Sequence, residues 1–252
     1  MLRPFKLICF MCVALVIQSA AWAEGKLVIA VEDRSWSPFY VWTDGELSGP
    51  CSEIAEGAFA AMGYEVEFQR APWTRVLKSV EDQSVHGGLC ATMTPERDAY
   101  AIFHDEPLLH FDTTLFVLES SPLTSSDPAA LTGMSFATVK GYSFGGMETQ
   151  LVEAGMERRD ANSRDSLIRV LLAGRVDAIL DSTLPILVDA DRLGVMDQVR
   201  PLRPTLSQTP SYVMFSEMTG NDVLAAEFSD ALKAFKETAA YREIQLKYNM
   251  YN

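Results

Sequence analysis

The run Thr92-Met93-Thr94-Pro95-Glu96-Arg97 places one guanidinium and one hydroxyl where they can act together. Thr94 suits the cap of a helix, Pro95 its first position, and Glu96 the positive end of its dipole. Arg97 then falls in the first helical turn, and Thr92 at the end of the short strand Gly87–Ala91. Ligands of open parallel sheets gather at the carboxyl ends of the strands. Arginine offers two parallel N–H donors to two oxygens, so this pair would form a carboxylate receptor. An arginine paired with a surface acid fits the same residues, and their types and spacing leave both readings open.

Other chemistry finds little support. His104 and His110 stand near Asp105 and Asp112, but loop carboxylates and imidazoles mostly gather without a metal, so no metal site is expected. The sequence contains no Gly-rich phosphate loop, no serine nucleophile elbow and no zinc-protease helix. Neither a cofactor nor a catalytic residue is therefore expected, which favours binding over catalysis. The run Gly174-Arg175-Val176-Asp177 looks like a functional loop but reads as structural. Ser166–Ala173 carries Leu167, Val170 and Leu171 as a helix, Gly174 stops it, and a strand begins at Val176.

Composition narrows the partners. The chain has 21 basic and 34 acidic residues and a formal charge of −13. That excess repels phosphate backbones, so nucleic acid is not an expected partner. Met1–Ala23 reads as a secretory signal, with Arg3 and Lys6, the apolar run Leu7–Ile17, and Ala21-Trp22-Ala23 ahead of cleavage before Glu24. Cys9 and Cys12 lie inside the apolar run and lack the small-residue setting of a lipoprotein site. No later run approaches the ~18 apolar residues of a membrane span. A soluble, monomeric periplasmic protein is expected, long enough for two lobes of about 100 residues each.

The elements that would carry Arg97 alternate between strand and helix. Lys26–Val31 is a continuous apolar strand of the kind covered on both faces. A loop with Trp36, Pro38, Phe39 and Tyr40 follows, then a turn at Thr43-Asp44-Gly45. A helix from about Ser52 carries Ile54, Ala55, Ala58, Phe59 and Met62, and Gly63 stops it. Tyr64–Phe68 alternates as a strand. Pro72-Trp73-Thr74 opens a helix bearing Val76, Leu77 and Val80. Ala225–Phe235 and Ala239–Tyr248 carry core-facing stripes near the end of the chain.

In order and spacing these pieces resemble the periplasmic solute-binding proteins of family 3, which serve polar amino-acid ABC importers. The resemblance covers essentially all of the mature sequence. It rests on Lys26–Val31 with Pro38, on Gly49 before a helix, and on Thr92-x-Thr94-Pro95-Glu96-Arg97. It continues through Val139-Lys140-Gly141-Tyr142-Ser143, Ala173–Leu180 and the closing helices through Tyr248. It implies an α/β fold of two lobes, each a mostly parallel sheet flanked by helices, with the ligand in the cleft between them. The implied chain crossings lie near Glu119 and Ser211. Lobe one would be Glu24–Leu118 plus Tyr212–Asn252, and lobe two Glu119–Ser211. By position, Arg97 becomes the carboxylate anchor and Thr92 its helper. Trp36 and Trp73 become rings that sandwich the ligand, Asp33 a first-lobe acid, and Ser143 part of a second-lobe loop whose N–H groups help hold the carboxylate. The implied partners are an amino acid or related organic acid and an inner-membrane ABC permease.

Two departures bear on the ligand. Family members that bind amino acids commonly carry an aspartate where this chain has Ser182; Asp181 precedes it, and strand neighbours point to opposite faces. Cys90 replaces a small residue whose backbone usually faces the ligand. Both positions are counted with the site, but an α-amino acid as ligand does not follow. An anion on an aromatic-friendly body fits better. Cys51 and Cys90, at a helix start and a strand end on the cleft side of lobe one, could form a disulfide or remain two buried thiols. The same fold also houses periplasmic dehydratases, for which Glu32, Asp33 and Asp181 would be the acids to consider, and ligand-sensing modules of membrane receptors.

Overall fold

A computed structural model describes residues 25–250. The expected leader, Met1–Ala23, and its cleavage point lie outside the described residues. The first half of the chain supplies strands β1 (Lys26–Glu32), β2 (Val41–Thr43), β3 (Glu46–Ser48), β4 (Glu65–Ala71), β5 (Gly87–Ala91), β6 (Ala101–Phe103) and β7 (Leu109–Leu118). Helices α1 (Pro50–Ala61), α2 (Trp73–Glu81) and the short α3 (Pro95–Asp98) lie among them. The second half supplies β8 (Ser135–Val139), α4 (Met147–Glu153), β9 (Glu157–Ala161), α5 (Arg164–Leu172), β10 (Ala178–Ser182) and α6 (Thr183–Arg192). It ends with β11 (Val199–Pro201), β12 (Ser207–Ser216), α7 (Asn221–Lys236) and α8 (Ala239–Lys247).

Two lobes share one path of strands, β4-β1-β5-β12-β7-β10-β8-β9. In the first lobe β1 runs parallel to β4 and β5. In the second, β8 runs parallel to β9 and β10. The long antiparallel strands β7 and β12 join them. Ser207–Ser211 of β12 pairs with Leu109–Thr113 of β7, and from Tyr212 onward β12 pairs with β5 and β6. Beyond Thr113, β7 pairs with β10 and β11, so the stretch up to Leu118 is hydrogen-bonded into the second lobe's sheet. The crossing expected near Glu119 lies just past the end of β7, and the one expected near Ser211 falls within β12.

One apolar cluster runs from the first lobe into the second, and another belongs to the second lobe. In the first, Phe59 of α1, Phe215 of β12 and Phe228 of α7 pack together, with Phe59 and Phe228 centroids 4.3 Å apart. In the second, Leu167, Ile168 and Leu171 of α5 cover Ala137, Ile179 and Phe116. Helix α1 starts at Pro50, two residues before the expected Ser52, because proline fits a first helical position. Gly49 ahead of it has φ 126°, and a Cβ there would stand 2.5 Å from the Phe39 carbonyl oxygen. Only glycine lets the chain pass that close to the loop carrying Tyr40.

A disulfide joins Cys51 in the first turn of α1 to Cys90 of β5, with Cα atoms 6.2 Å apart. It ties the start of the helix to the strand that carries Thr92. A bridge across 39 residues should stabilise the fold by about 4 kcal/mol in the chain-entropy model. Mass spectrometry after alkylation without reductant should find no labelled cysteine in the exported protein, and denaturation with reductant should show a loss of that order. Two labelled cysteines would disprove the bridge.

Candidate functional site

The ends of β1, β5 and β8 meet at one cavity between the lobes. Its walls include Glu32, Trp36 and Tyr40 from β1 and the loop after it, Trp73 at the start of α2, and Cys90, Thr92 and Arg97 around the end of β5. Phe111 of β7 and Tyr142, Ser143 and Phe144 after β8 complete it. β5 reaches the cavity through a bulge. Ala91 pairs with Tyr212 and Gly88 with Met214, so β5 has one residue more than β12 over this span. Cys90 lies in the bulge at φ 55°, a left-handed conformation uncommon for a side-chain-bearing residue. Bulges re-aim strands beside functional sites, and here the strand beyond leads to Thr92 and Arg97.

Arg97 is held by its helix start and by main-chain oxygens. The Thr94 side chain accepts from its backbone N–H at 3.2 Å, capping α3. Its guanidinium donates to the Thr92 carbonyl at 2.7 Å and, across the cleft, to the Gly141 carbonyl at 2.8 Å. Trp73 Nε1 donates to the same Gly141 oxygen at 2.9 Å, and the Trp73 ring lies 5.4 Å from the guanidinium carbon. Gly141 reaches this position at φ 81°. Arg97 is buried, and among the described residues no carboxylate lies within 4.0 Å of it. Burial lowers its pKa against the pull of Tyr100, Glu148 and Glu96.

Glu32 carries the opposite charge on the same cavity. One of its carboxylate oxygens accepts from Tyr142 Oη at 2.7 Å and Tyr40 Oη at 3.1 Å. Burial raises its pKa, opposed by the Tyr142 hydrogen bond and by Arg164. Beside it Trp36 meets Phe111 edge-on, centroids 4.9 Å apart, and packs against Tyr40. The loop after β8 is set by Glu148, which accepts from the Ser143 hydroxyl and from Phe144 N–H.

Of the site residues expected from sequence, Trp36, Trp73, Cys90, Thr92, Arg97 and Ser143 line this cavity. Asp33, Asp181 and Ser182 do not. Glu32, one residue ahead of Asp33, takes the inward direction, and Asp33 instead offers its carbonyl to Arg70 at 2.9 Å. Asp181 and Ser182 are fully enclosed in β10, between β7 and β8. Asp181 accepts from Ser182 N–H at 2.7 Å through one oxygen, and the other has no hydrogen-bond partner. Sequence reasoning missed Tyr40, Phe111, Tyr142 and Phe144 as wall residues, and weighed Glu32 only as a catalytic acid. The one legible signal was the cluster of aromatic residues just after β1.

Arg164 of α5 links the lobes behind this wall. It bonds Asp189 at 2.8 Å and reaches the Ser35 carbonyl of the first lobe. Burial works against its charge, but Tyr142, Asp181 and Asp189 outweigh burial and raise its pKa. Among the described residues no three His, Cys, Asp or Glu side chains form a group able to hold a metal.

A cleft between two α/β lobes, lined by charges and rings and spanned by two crossing strands, defines a solute-binding clamp. The chain belongs to the bacterial extracellular solute-binding proteins of family 3, whose model matches residues 27–251. No curated protein matches the sequence. Among solved structures it is similar to an ancestral arginine-binding protein bound to arginine, at 20% identity and TM-score 0.75, covering 90% of this chain and 99% of that one. It is also similar to the arginine-, lysine-, histidine-binding protein ArtJ from Geobacillus stearothermophilus, at 18% identity and TM-score 0.73, covering 90% and 96%. A histidine kinase sensor domain with similarity to periplasmic binding proteins matches at 18% identity and TM-score 0.74, covering 88% and 95%. At these identities the likeness establishes the fold.

Asp181 gives a test of the buried network. Burial pushes its carboxyl up to about 7, with Arg164 pulling the other way. An unfolded aspartate titrates near about 3.9. Between those values the folded state keeps a proton that the unfolded chain has lost. The stabilising contribution is therefore complete below about 4 and is lost as pH rises through about 7. Denaturation midpoints of Asp181→Asn and wild type, compared from pH 4 to 8, should show the variant gaining on wild type as pH rises. A pH-independent gap would contradict this assignment.

Proposed function

We propose that this protein captures a small, carboxylate-bearing solute in the periplasm and delivers it to an inner-membrane ABC permease by hinge closure. The observation that carries this reading is Arg97, a buried guanidinium on the cavity wall with no carboxylate beside it among the described residues. A buried charge is costly without a counter-charge. Arginine has five N–H donors, and the Thr92 and Gly141 carbonyls engage two of its nitrogens. The remaining donors suit the two oxygens of a carboxylate.

The family supports capture of an extracellular solute. The arginine-, lysine-, histidine-binding neighbour and another neighbour, the substrate-binding protein of an amino acid ABC transporter, support an amino-acid-like ligand and an ABC partner. The sensor-domain neighbour keeps a second partner class in view. Adjacent genes for a permease and an ATPase would mark the importer, and a sensor kinase gene the alternative. The motion we propose turns about β7 and β12, between a first lobe built on β1, β4 and β5 and a second built on β8 to β10. Export by the Met1–Ala23 leader belongs to the same proposal.

A thermal-shift screen of amino acids, organic acids and amines should yield a carboxylate that raises the melting temperature. With that ligand, Arg97→Ala should weaken binding by roughly ten- to several-thousandfold, the effect of stripping a desolvated charge of its partner. Arg97→Lys should recover part of the affinity, because it keeps the charge and loses the fork. Melting of the unliganded variants separates a folding loss from a binding loss. Calorimetry showing wild-type affinity in a folded Arg97→Ala protein would refute the anchor.

A further inference from the structure

We infer that the Glu32 end of the cavity is a second charged subsite, built for an alkylated ammonium group, so that the solute is a zwitterion with its carboxylate at Arg97. This rests on the reading of Arg97 given above and goes beyond it by assigning the other end of the ligand.

Glu32 is only 6% exposed, and it lines the cavity. Both tyrosine hydroxyls donate to the same carboxylate oxygen, Oε2. The other oxygen, Oε1, takes no hydrogen bond among the described residues. No lysine or arginine lies within 4.0 Å of this carboxylate among the described residues. Arg164 acts on it only at longer range, because Asp189 and the Ser35 carbonyl hold its guanidinium. Among the described residues Glu32 is therefore a buried carboxyl with no cation in contact, as Arg97 is a buried guanidinium with no carboxylate in contact.

The surroundings narrow the cation. Trp36, Tyr40, Phe111, Tyr142 and Phe144 line the same cavity, where Trp36 meets both Tyr40 and Phe111 and Tyr142 meets Phe144. Aromatic faces attract cations and receive N-alkyl groups without asking for hydrogen bonds. A primary ammonium brings three N–H donors, of which the single open oxygen satisfies one. Donors left buried and unpaired weaken binding. An ammonium with one N–H and two alkyl groups uses the open oxygen and covers the rings. A second carboxylate at this end would face Glu32 as a like charge, and a neutral group would leave Glu32 uncompensated.

The test uses the full mature protein and two series of probes, glycine with its N-methyl, N,N-dimethyl and N,N,N-trimethyl forms, and 4-aminobutyrate with the same three. Succinate and butyrate are the dianionic and neutral controls. Calorimetry should show the dimethyl form of at least one series binding tenfold or more tighter than its primary amine and both controls. Glu32→Gln, whose amide oxygen can still accept from both tyrosines, should remove at least tenfold of that affinity. Wild-type and Glu32→Gln melting curves without ligand report any folding loss. If the variant does not fold, a pH titration in the Asp181→Asn background substitutes for it. The groups facing Glu32 are Tyr40, Asp33, Tyr142, Arg164 and Asp181, so this background removes the neighbour that titrates near 7. Affinity for the dimethyl probe should then fall on acidification from above the ordinary glutamate range. The inference is overturned if the primary amine or butyrate binds as well as the dimethyl form, if Glu32→Gln binds normally, or if affinity holds through that pH range. It is also overturned if neither series binds while another carboxylate binds through Arg97. Failure of every carboxylate would instead remove the Arg97 reading.

Discussion

A guanidinium taken out of water must be surrounded by oxygen, and around Arg97 that oxygen comes from the main chain. Thr92 supplies one carbonyl from just beyond β5, and Gly141 supplies another from the opposite lobe. The local architecture follows from this need. The bulge at Cys90 precedes the strand end that carries Thr92. Proline and a threonine cap start α3 where Arg97 falls in its first turn. The left-handed turn at Gly141 directs its carbonyl toward both Arg97 and Trp73. Carbonyls satisfy N–H groups but do not neutralise the charge, which is the ground for the proposed anion.

Much of the first lobe was legible because its signals are local. The cap and proline at Thr94 and Pro95, the apolar run of β1 and the helical stripe of α1 each state their element within a few residues. Arg97 and Thr92 were found for that reason. The choice between Glu32 and Asp33 was not legible, since β1 is covered on both faces and its run of apolar residues carries no alternation to fix its register. The course of β7 was hard to read for a related reason. β7 begins as an alternating strand and continues fully buried from Thr113 to Val117, so it shows two patterns in ten residues. Its partners lie far off in sequence, as when Thr113 pairs with Ser207.

β10 shows how the second lobe manages a polar interior. The enclosed side chains of Thr138, Asp181, Ser182 and Thr183 keep atoms without hydrogen-bond partners, and so does one nitrogen of Arg164. Buried groups of this kind are few in native proteins, and each calls for a cause. Thr138, Asp181 and Ser182 sit on the neighbouring strands β8 and β10, and Arg164 of α5 reaches across to the Ser35 carbonyl. The second lobe meets the first through this polar contact and also through rings, with Trp73 against Tyr142 at 6.3 Å between centroids.

Trp73, Arg97 and Tyr142 each line the cavity and each take part in a hydrogen bond across it, to Gly141 or Glu32. In the proposed clamp, grip and closure would therefore draw on the same side chains. The apparent affinity of such a clamp is its intrinsic affinity scaled by the fraction of molecules in the competent shape. Substituting any of the three changes both factors at once, so affinity data alone would not separate them. Phe111 and Phe144 touch the same space without spanning it by a side-chain hydrogen bond. Phe111, in β7, packs on Trp36 and Phe39, so of the two only Phe144 stands clear of the strands that join the lobes.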